Sequence, residues 1–67
     1  MIDCWRVLSA LREYYSHDAT DAELLPICEA SARELSARVK KDADFSDIRL
    51  INAAAAMANY RICMKKM

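Results

Sequence analysis

The sequence predicts an all-α protein without a sheet, either a small three-helix bundle or a more open helical arrangement. The 67 residues contain no glycine and one proline, whereas the tight turns of β-hairpins usually need glycine for positive φ. Apolar residues recur every three or four positions in three segments, which is the period of an amphipathic helix. The joints between them are short, so neighbouring helices are expected to be antiparallel. The length predicts a single domain over residues 1–67.

The first helix is predicted over about residues 3–15. Cys4, Leu8, Leu11 and Tyr15 are separated by four, three and four positions, which places them on one helical face. Asp3 has the side chain of a good N-cap. Residues 16–20 are mostly polar and break the pattern, so they are predicted to form a turn.

The second helix is predicted over about residues 21–41. Thr20 and Glu23 match the capping box, in which a hydroxyl and a carboxylate three residues apart satisfy free amides. Pro26 lacks an amide and its ring crowds the preceding turn, so a kink is expected near residue 26. Beyond the proline, a heptad-like apolar seam is predicted at Leu25, Cys28, Ala32, Leu35 and Val39.

The third helix is predicted over about residues 47–65. Ser46 is the expected N-cap, with Phe45 and Leu50 placed as a hydrophobic staple around it. One face is expected to be apolar, comprising Ile48, Ile51, Ala55, Ala58 and Ile62. Small alanine side chains allow close helix packing, so Leu35 or its neighbours are expected against this strip.

Composition argues against several functional classes. Ten basic and ten acidic residues give a net charge of zero, so no overall charge attracts nucleic acid or anionic lipid. The longest apolar run, residues 53–58, is too short to span a bilayer, and no signal peptide is visible. Three widely spaced cysteines suit reduced thiols. These features predict a cytoplasmic protein that binds neither membrane nor, in the main hypothesis, nucleic acid.

No catalytic, cofactor-binding or metal-binding residue is predicted. His17 lies near Asp18, Asp21 and Glu23 in sequence, but one imidazole is too few ligands for a structural zinc site, and a solvated turn is expected instead. Cys28 could be imagined as a nucleophile with His17 as its base. Free cysteines are more often small buried apolar residues, so the protein is predicted not to be an enzyme.

A shortage of large apolar side chains predicts self-association. Hydrophobic residues make up 55% of the chain, but twelve of them are alanine, and a chain of this size buries only about 60% of its unfolded surface. Asn52 and Asn59 are seven residues apart, forming either an exposed polar stripe or a seam whose amides fix the register of association. The predicted contact residues are Trp5, Tyr14, Tyr15, Asn52, Ala55, Asn59 and Tyr60.

Residues 21–66 carry a resemblance to a known class of proteins. Their order, with DAELLPICEASARELSARV, then DFSD, then IRLINAAAAMANYRI, resembles the small helical head-to-tail connector proteins of tailed phages and prophages. The resemblance implies a non-catalytic virion component that forms rings between a portal and tail completion proteins. A weaker resemblance is to bacterial division-associated proteins whose helical C-termini pair and crosslink tubulin-like filaments.

A small helical DNA-binding regulator is the alternative from another class. The second and third helices could form a helix-turn-helix, with Arg49, Arg61, Lys65 and Lys66 contacting DNA. Phosphate contacts dominate the affinity of such proteins. The zero net charge and the alanine-rich third helix therefore disfavour this function.

Overall fold

A computed structural model describes residues 1–65 and contains three helices: α1 (Cys4–Tyr14), α2 (Asp21–Arg38) and α3 (Ile48–Lys65). Each helix packs against both of the others. Residues 1–65 contain no strand. The predicted all-α fold is confirmed, in its compact three-helix form.

Contacts at both ends show that α1 and α2 are antiparallel neighbours. Near the start of α1, the amide of the buried Ile2 donates a hydrogen bond of 2.9 Å to Oγ of Ser36, late in α2. Near the end of α1, Nη2 of Arg12 lies 2.8 Å from Oδ1 of Asp21, the first residue of α2. The joint between the helices is therefore short and closed.

Arg12 organises the joint between α1 and α2. Besides its ion pair with Asp21, its guanidinium donates to the carbonyl oxygens of His17 at 2.9 Å and Ala19 at 2.6 Å. The planar guanidinium presents several donors at fixed angles, which suits it to hold a turn of irregular backbone. This role of Arg12 is not predictable from sequence, because two of its three acceptors are backbone oxygens with no sequence signature.

The predicted caps of α1 and α2 are confirmed. The amide of Trp5 donates to Oδ1 of Asp3 at 2.9 Å. The amide of Glu23 donates to Oγ1 of Thr20 at 3.3 Å. The Glu23 carboxylate accepts from the Thr20 hydroxyl and not from the Thr20 amide, so among the described residues only one half of the predicted capping box is formed. Both caps satisfy amides that have no partner within the helix.

Helix α2 is continuous through Pro26 and ends at Arg38, three residues earlier than predicted. Proline cannot donate to the carbonyl of Ala22, but Ala22 is exposed, so water can satisfy that oxygen. The helix ends because Val39 adopts an extended backbone (φ −92°, ψ 165°) while its side chain stays half-buried. Residues 40–43 then form a turn closed by the amide of Ala43 and the carbonyl of Lys40.

The buried face of α2 is rotated from the predicted seam. Its buried residues are Leu24, Cys28, Ser31 and Ala32. Leu25, Leu35 and Val39 are only half-buried. Ser31 enters the core because its hydroxyl donates to the carbonyl of Ile27 at 2.9 Å, which removes the cost of burying an unpaired hydroxyl. Leu35 packs against the core as one of its partly buried neighbours.

Asp47, and not Ser46, caps α3. The amide of Arg49 donates to Oδ1 of Asp47 at 2.9 Å, and Leu50 and Ile51 donate to its carbonyl oxygen. Ser46 belongs to the preceding turn, where its amide and hydroxyl both donate to Oδ1 of Asp44. A carboxylate satisfies the amides and also interacts favourably with the positive end of the helix dipole. Asp47 is therefore a better N-cap than Ser46 at this position. The staple predicted around a Ser46 cap is therefore in the wrong register.

Removing the Asp47 carboxylate is expected to lower thermal stability more than removing the Ser46 hydroxyl. Asp47→Ala leaves the first amides of α3 without their cap, so its melting temperature should fall by several degrees. Hydrogen bonds from the Arg49 side chain and amide lower the pKa of Asp47, so its contribution is present above pH 4 and declines as the pH falls below that. Circular dichroism melts of both variants provide the test, and an equal loss for Ser46→Ala would contradict it.

The core lies where the three helices meet and is rich in alanine on the α3 side. Helix α1 contributes Val7, Leu8, Ala10 and Leu11. Helix α3 contributes Ile51, Ala54, Ala55, Ala58 and Ile62. Ile48, predicted on this face, is instead 60% exposed, because it is the first residue of α3.

Candidate interaction surface

An open groove lies between α1 and the first turns of α3. Its volume is about 310 Å³. The residues that line it, which define the α1–α3 groove, are Trp5, Arg6, Ser9, Ala10, Glu13, Ile48, Ile51 and Asn52. Its floor includes the buried Ala10 and Ile51. The groove therefore combines an apolar floor with a charged and polar rim.

Two large apolar side chains stand exposed at this groove. Trp5 is 60% exposed, because the buried face of α1 carries Val7 and Leu11 and turns Trp5 outwards. Ile48 is equally exposed, one turn before the buried Ile51. Tryptophan is among the residue types most enriched at energetically important interface positions. The structure thus places Trp5, a predicted contact residue, and Ile48, which was predicted to be buried, at the same groove.

The ion pairs of the described residues leave one arginine free. Arg6 forms no ion pair within residues 1–65, whereas the other five arginines do, in the pairs Arg12–Asp21, Arg33–Glu29, Arg38–Glu34, Arg49–Asp47 and Arg61–Glu34. Among the glutamates, Glu23 bonds to Thr20. Glu13 has no side-chain hydrogen bond or ion pair within the same range. Arg6 and Glu13 both border the α1–α3 groove.

The other predicted contact residues are scattered. Tyr14 and Tyr60 are 59% and 66% exposed. Tyr15 is half-buried and packs against the core. Ala55 has no exposed surface, so its assignment to an interface is wrong. It occupies the crowded centre of the three-helix contact.

The two predicted seam asparagines have separate environments. Oδ1 of Asn59 lies 2.9 Å from Nε2 of His17, which ties α3 to the joint between α1 and α2. Asn52 lines the α1–α3 groove, and its Oδ1 is buried without a hydrogen-bond partner among the described residues. The Asn59 amide bonds within the fold and the Asn52 amide lies at the groove, so the two side chains do not form one seam.

His17 is half-buried, and the predicted solvated turn is wrong at this residue. Nε2 of His17 donates to Oδ1 of Asn59, while Nδ1 is buried without a partner within residues 1–65. Asp21, one of its acidic sequence neighbours, pairs with Arg12 instead. Within the described part of the chain, no group of three or more His, Cys, Asp or Glu side chains could hold a metal ion.

Cys28 is fully buried in the core. Burial raises the pKa of its thiol from the usual 9.0 to about 11, and the nearby Cys4 thiol acts in the same direction. The thiolate is the reactive form of cysteine. Cys28 is therefore a protonated core residue at neutral pH.

The three cysteines are expected to react with a thiol reagent in the order of their exposure. Cys63 is exposed, Cys4 half-buried and Cys28 buried, so Cys63 should be labelled first and Cys28 only after unfolding. Mass spectrometry of peptides after timed labelling with a maleimide measures the order. Labelling of Cys28 at the rate of Cys63 would show that the core is open.

The raised pKa of Cys28 also gives a pH dependence with a definite sign. A thiol with a higher pKa in the folded protein than in the unfolded chain stabilises fully below the unfolded value and loses this contribution as the pH rises. Thermal stability should therefore fall between pH 9 and pH 11. The fall should be smaller in Cys28→Ala, which keeps the other titrating groups.

No helix within residues 1–65 combines the length and the apolar character needed to cross a bilayer. The chain matches no protein-family model, no curated protein and no solved structure.

Proposed function

We propose that the protein is a non-enzymatic helical assembly protein that acts by self-association. The observation that carries this proposal is the exposure of Trp5 and Ile48 beside the α1–α3 groove. Large exposed apolar side chains around a groove with a polar rim are typical of protein contact sites. A chain of 67 residues also has a small core of its own, so burying these side chains against a copy adds stability.

The rim of the groove favours a macromolecular partner over catalysis. Arg6, Ser9 and Glu13 are all exposed, whereas catalytic electrostatics are strongest where water is excluded. Polar rims around an apolar centre are typical of protein interfaces. The groove is therefore suited to contact rather than to chemistry.

The narrower proposal is a component similar to phage head-to-tail connectors, a role that the resemblance of the second and third helices supports. A ring requires two different surfaces on each copy, joined head to tail. The α1–α3 groove supplies one surface, and the exposed Tyr14 and Tyr60 supply candidates for a second. A filament-crosslinking accessory protein, the weaker resemblance, would also act by pairing.

The charges of α3 favour protein contact over the DNA-binding alternative. Arg49 lies 2.8 Å from Oδ2 of Asp47, and Arg61 pairs with Glu34. Each carboxylate offsets the charge that would contact a phosphate. Lys66, also assigned to DNA in that hypothesis, lies outside the described residues.

Size-exclusion chromatography with light scattering, over a wide range of concentrations, tests self-association. The expected result is a mass that rises to a multiple of 7.6 kDa, with two copies indicating a pair and many indicating a ring. A mass of one chain at every concentration would overturn the proposal. Salt-sensitive binding to a DNA duplex in a gel-shift assay would favour the alternative.

A further inference from the structure

The two unpaired charges of α1 stand at the wrong ends of the helix. Arg6 is in the first turn and Glu13 in the last turn of α1 (Cys4–Tyr14). The helix dipole favours acidic groups at the N-terminus and basic groups at the C-terminus. Neither charge is compensated by an ion pair within residues 1–65. The helix dipole of one chain therefore disfavours both placements.

Arg6 and Glu13 share one face of α1 but do not reach each other. They are seven residues apart, which is two helical turns or about 10 Å along the axis, whereas side-chain pairs in a helix form at three or four residues. Ser9 lies between them on the same face and is exposed. Both charges border the α1–α3 groove, as does Trp5.

We propose that a second copy of this chain docks on this face, with the two α1 helices antiparallel about a twofold axis near Ser9 and Ala10. Arg6 then pairs with the partner's Glu13, and Glu13 pairs with the partner's Arg6. This inference rests on the proposed self-association and names the surface that performs it.

The antiparallel direction follows from the charges. A parallel pair in register would place Arg6 against the partner's Arg6 and Glu13 against the partner's Glu13, so both charge contacts would be repulsive. In the antiparallel pair each contact joins an arginine to a glutamate and is attractive. The twofold axis makes this contact occur two times in the dimer. The small, exposed side chain of Ser9 at the crossing allows the two helices to approach closely.

Apolar burial supplies the rest of the interface. Trp5 and Ile48 flank the charged face and are the large apolar side chains exposed at this groove. A stable interface takes about 600 Å² from each partner, roughly an eighth of the 4629 Å² surface of the chain. A twofold contact uses the same face on both copies and closes at two, so the contacts of a ring would have to form elsewhere on the surface, between such pairs.

Charge reversal tests the pairing. Arg6→Glu and Glu13→Arg should each weaken self-association at least ~10-fold, because both ion pairs of the symmetric dimer become repulsive. An equimolar mixture of the two single variants should associate as a heterodimer, since every pair is then attractive. The double variant Arg6→Glu/Glu13→Arg should associate like the wild type. Sedimentation equilibrium at low ionic strength measures all four, and added salt should reduce the differences.

The charge reversals are not expected to unfold the monomer. Arginine and glutamate are both good helix formers, and each reversal places the new charge favourably for the helix dipole. Circular dichroism melts verify the fold of each variant. Lys40→Glu and Asp42→Lys change the same charges at exposed positions in the joint between α2 and α3, so they serve as matched controls and should leave association unchanged.

The single tryptophan of the chain reports the contact independently. Trp5 emission should shift to shorter wavelength as the protein concentration rises, at the concentration where the mass doubles. The shift should be absent in each single charge variant and present in their mixture.

The outcomes separate this inference from the proposed function. A monomeric wild type overturns both. A wild type that associates equally well after either reversal retains the assembly role but overturns the α1 pairing. Loss of association in the single variants without recovery in the mixture also overturns the antiparallel arrangement. Recovery only in the mixture and in the double variant supports it.

Discussion

Leu11→Ala is expected to lower the free energy of unfolding by about 2 to 5 kcal/mol, the largest effect of any single substitution proposed for this protein. Leu11 has no exposed surface and belongs to the core of α1 together with Val7 and Leu8. Alanine would leave a cavity that a short helix fixed at both ends cannot close. Domains of this size have only a few kcal/mol of net stability, so the variant should be largely unfolded at room temperature.

Chemical denaturation followed by circular dichroism measures this loss. Leu50→Ala is a matched control, because Leu50 is also a helical leucine but is only half-buried. Its loss should be less than about half that of Leu11→Ala. Equal losses for the two variants would show that α1 does not dock on the core as the structure indicates. The α1–α3 groove would then lose one of its walls.

The period of the apolar residues was sufficient to predict the helices. The caps at Asp3 and Thr20 are formed as expected, because each pairs a short polar side chain with an amide two or three residues away. Such local interactions are encoded by neighbouring residues. The all-α fold could be predicted for the same reason.

Spacing alone could not predict which of two adjacent polar residues caps α3. Ser46 and Asp47 are both good N-cap residues, and Asp44 decides between them by accepting both hydrogen bonds of Ser46. With Asp47 as the cap, Ile48 is the first residue of α3, and its side chain is exposed.

The candidate surface itself was predicted only in part. Trp5 was named as a contact residue from its residue type, and the structure shows it exposed at a groove. Arg6 and Glu13 were not named, because a charge seven residues from its opposite looks like ordinary solvated surface. Their significance required the ion pairs of every other arginine to be known.

Ala55→Leu is expected to destabilise the fold by about 1 to 3 kcal/mol through overpacking. Ala55 has no exposed surface, and its neighbours Ala54 and Ala58 are buried to the same degree. The small side chains bring α3 close to the other two helices, so a leucine must either push α3 outwards or adopt a strained rotamer. Both responses cost free energy, although leucine is a good helix former.

Ala56→Leu is the control for this prediction, since Ala56 is exposed on the same helix. It makes the identical chemical change, so any difference between the two variants reports packing and not helix propensity. Surface substitutions of this kind usually change stability by less than about 0.5 kcal/mol. Thermal melts of both variants provide the measurement, and equal melting temperatures would contradict the close contact of α3. Because α3 forms one wall of the α1–α3 groove, an outward shift in Ala55→Leu should also weaken self-association, whereas Ala56→Leu should not.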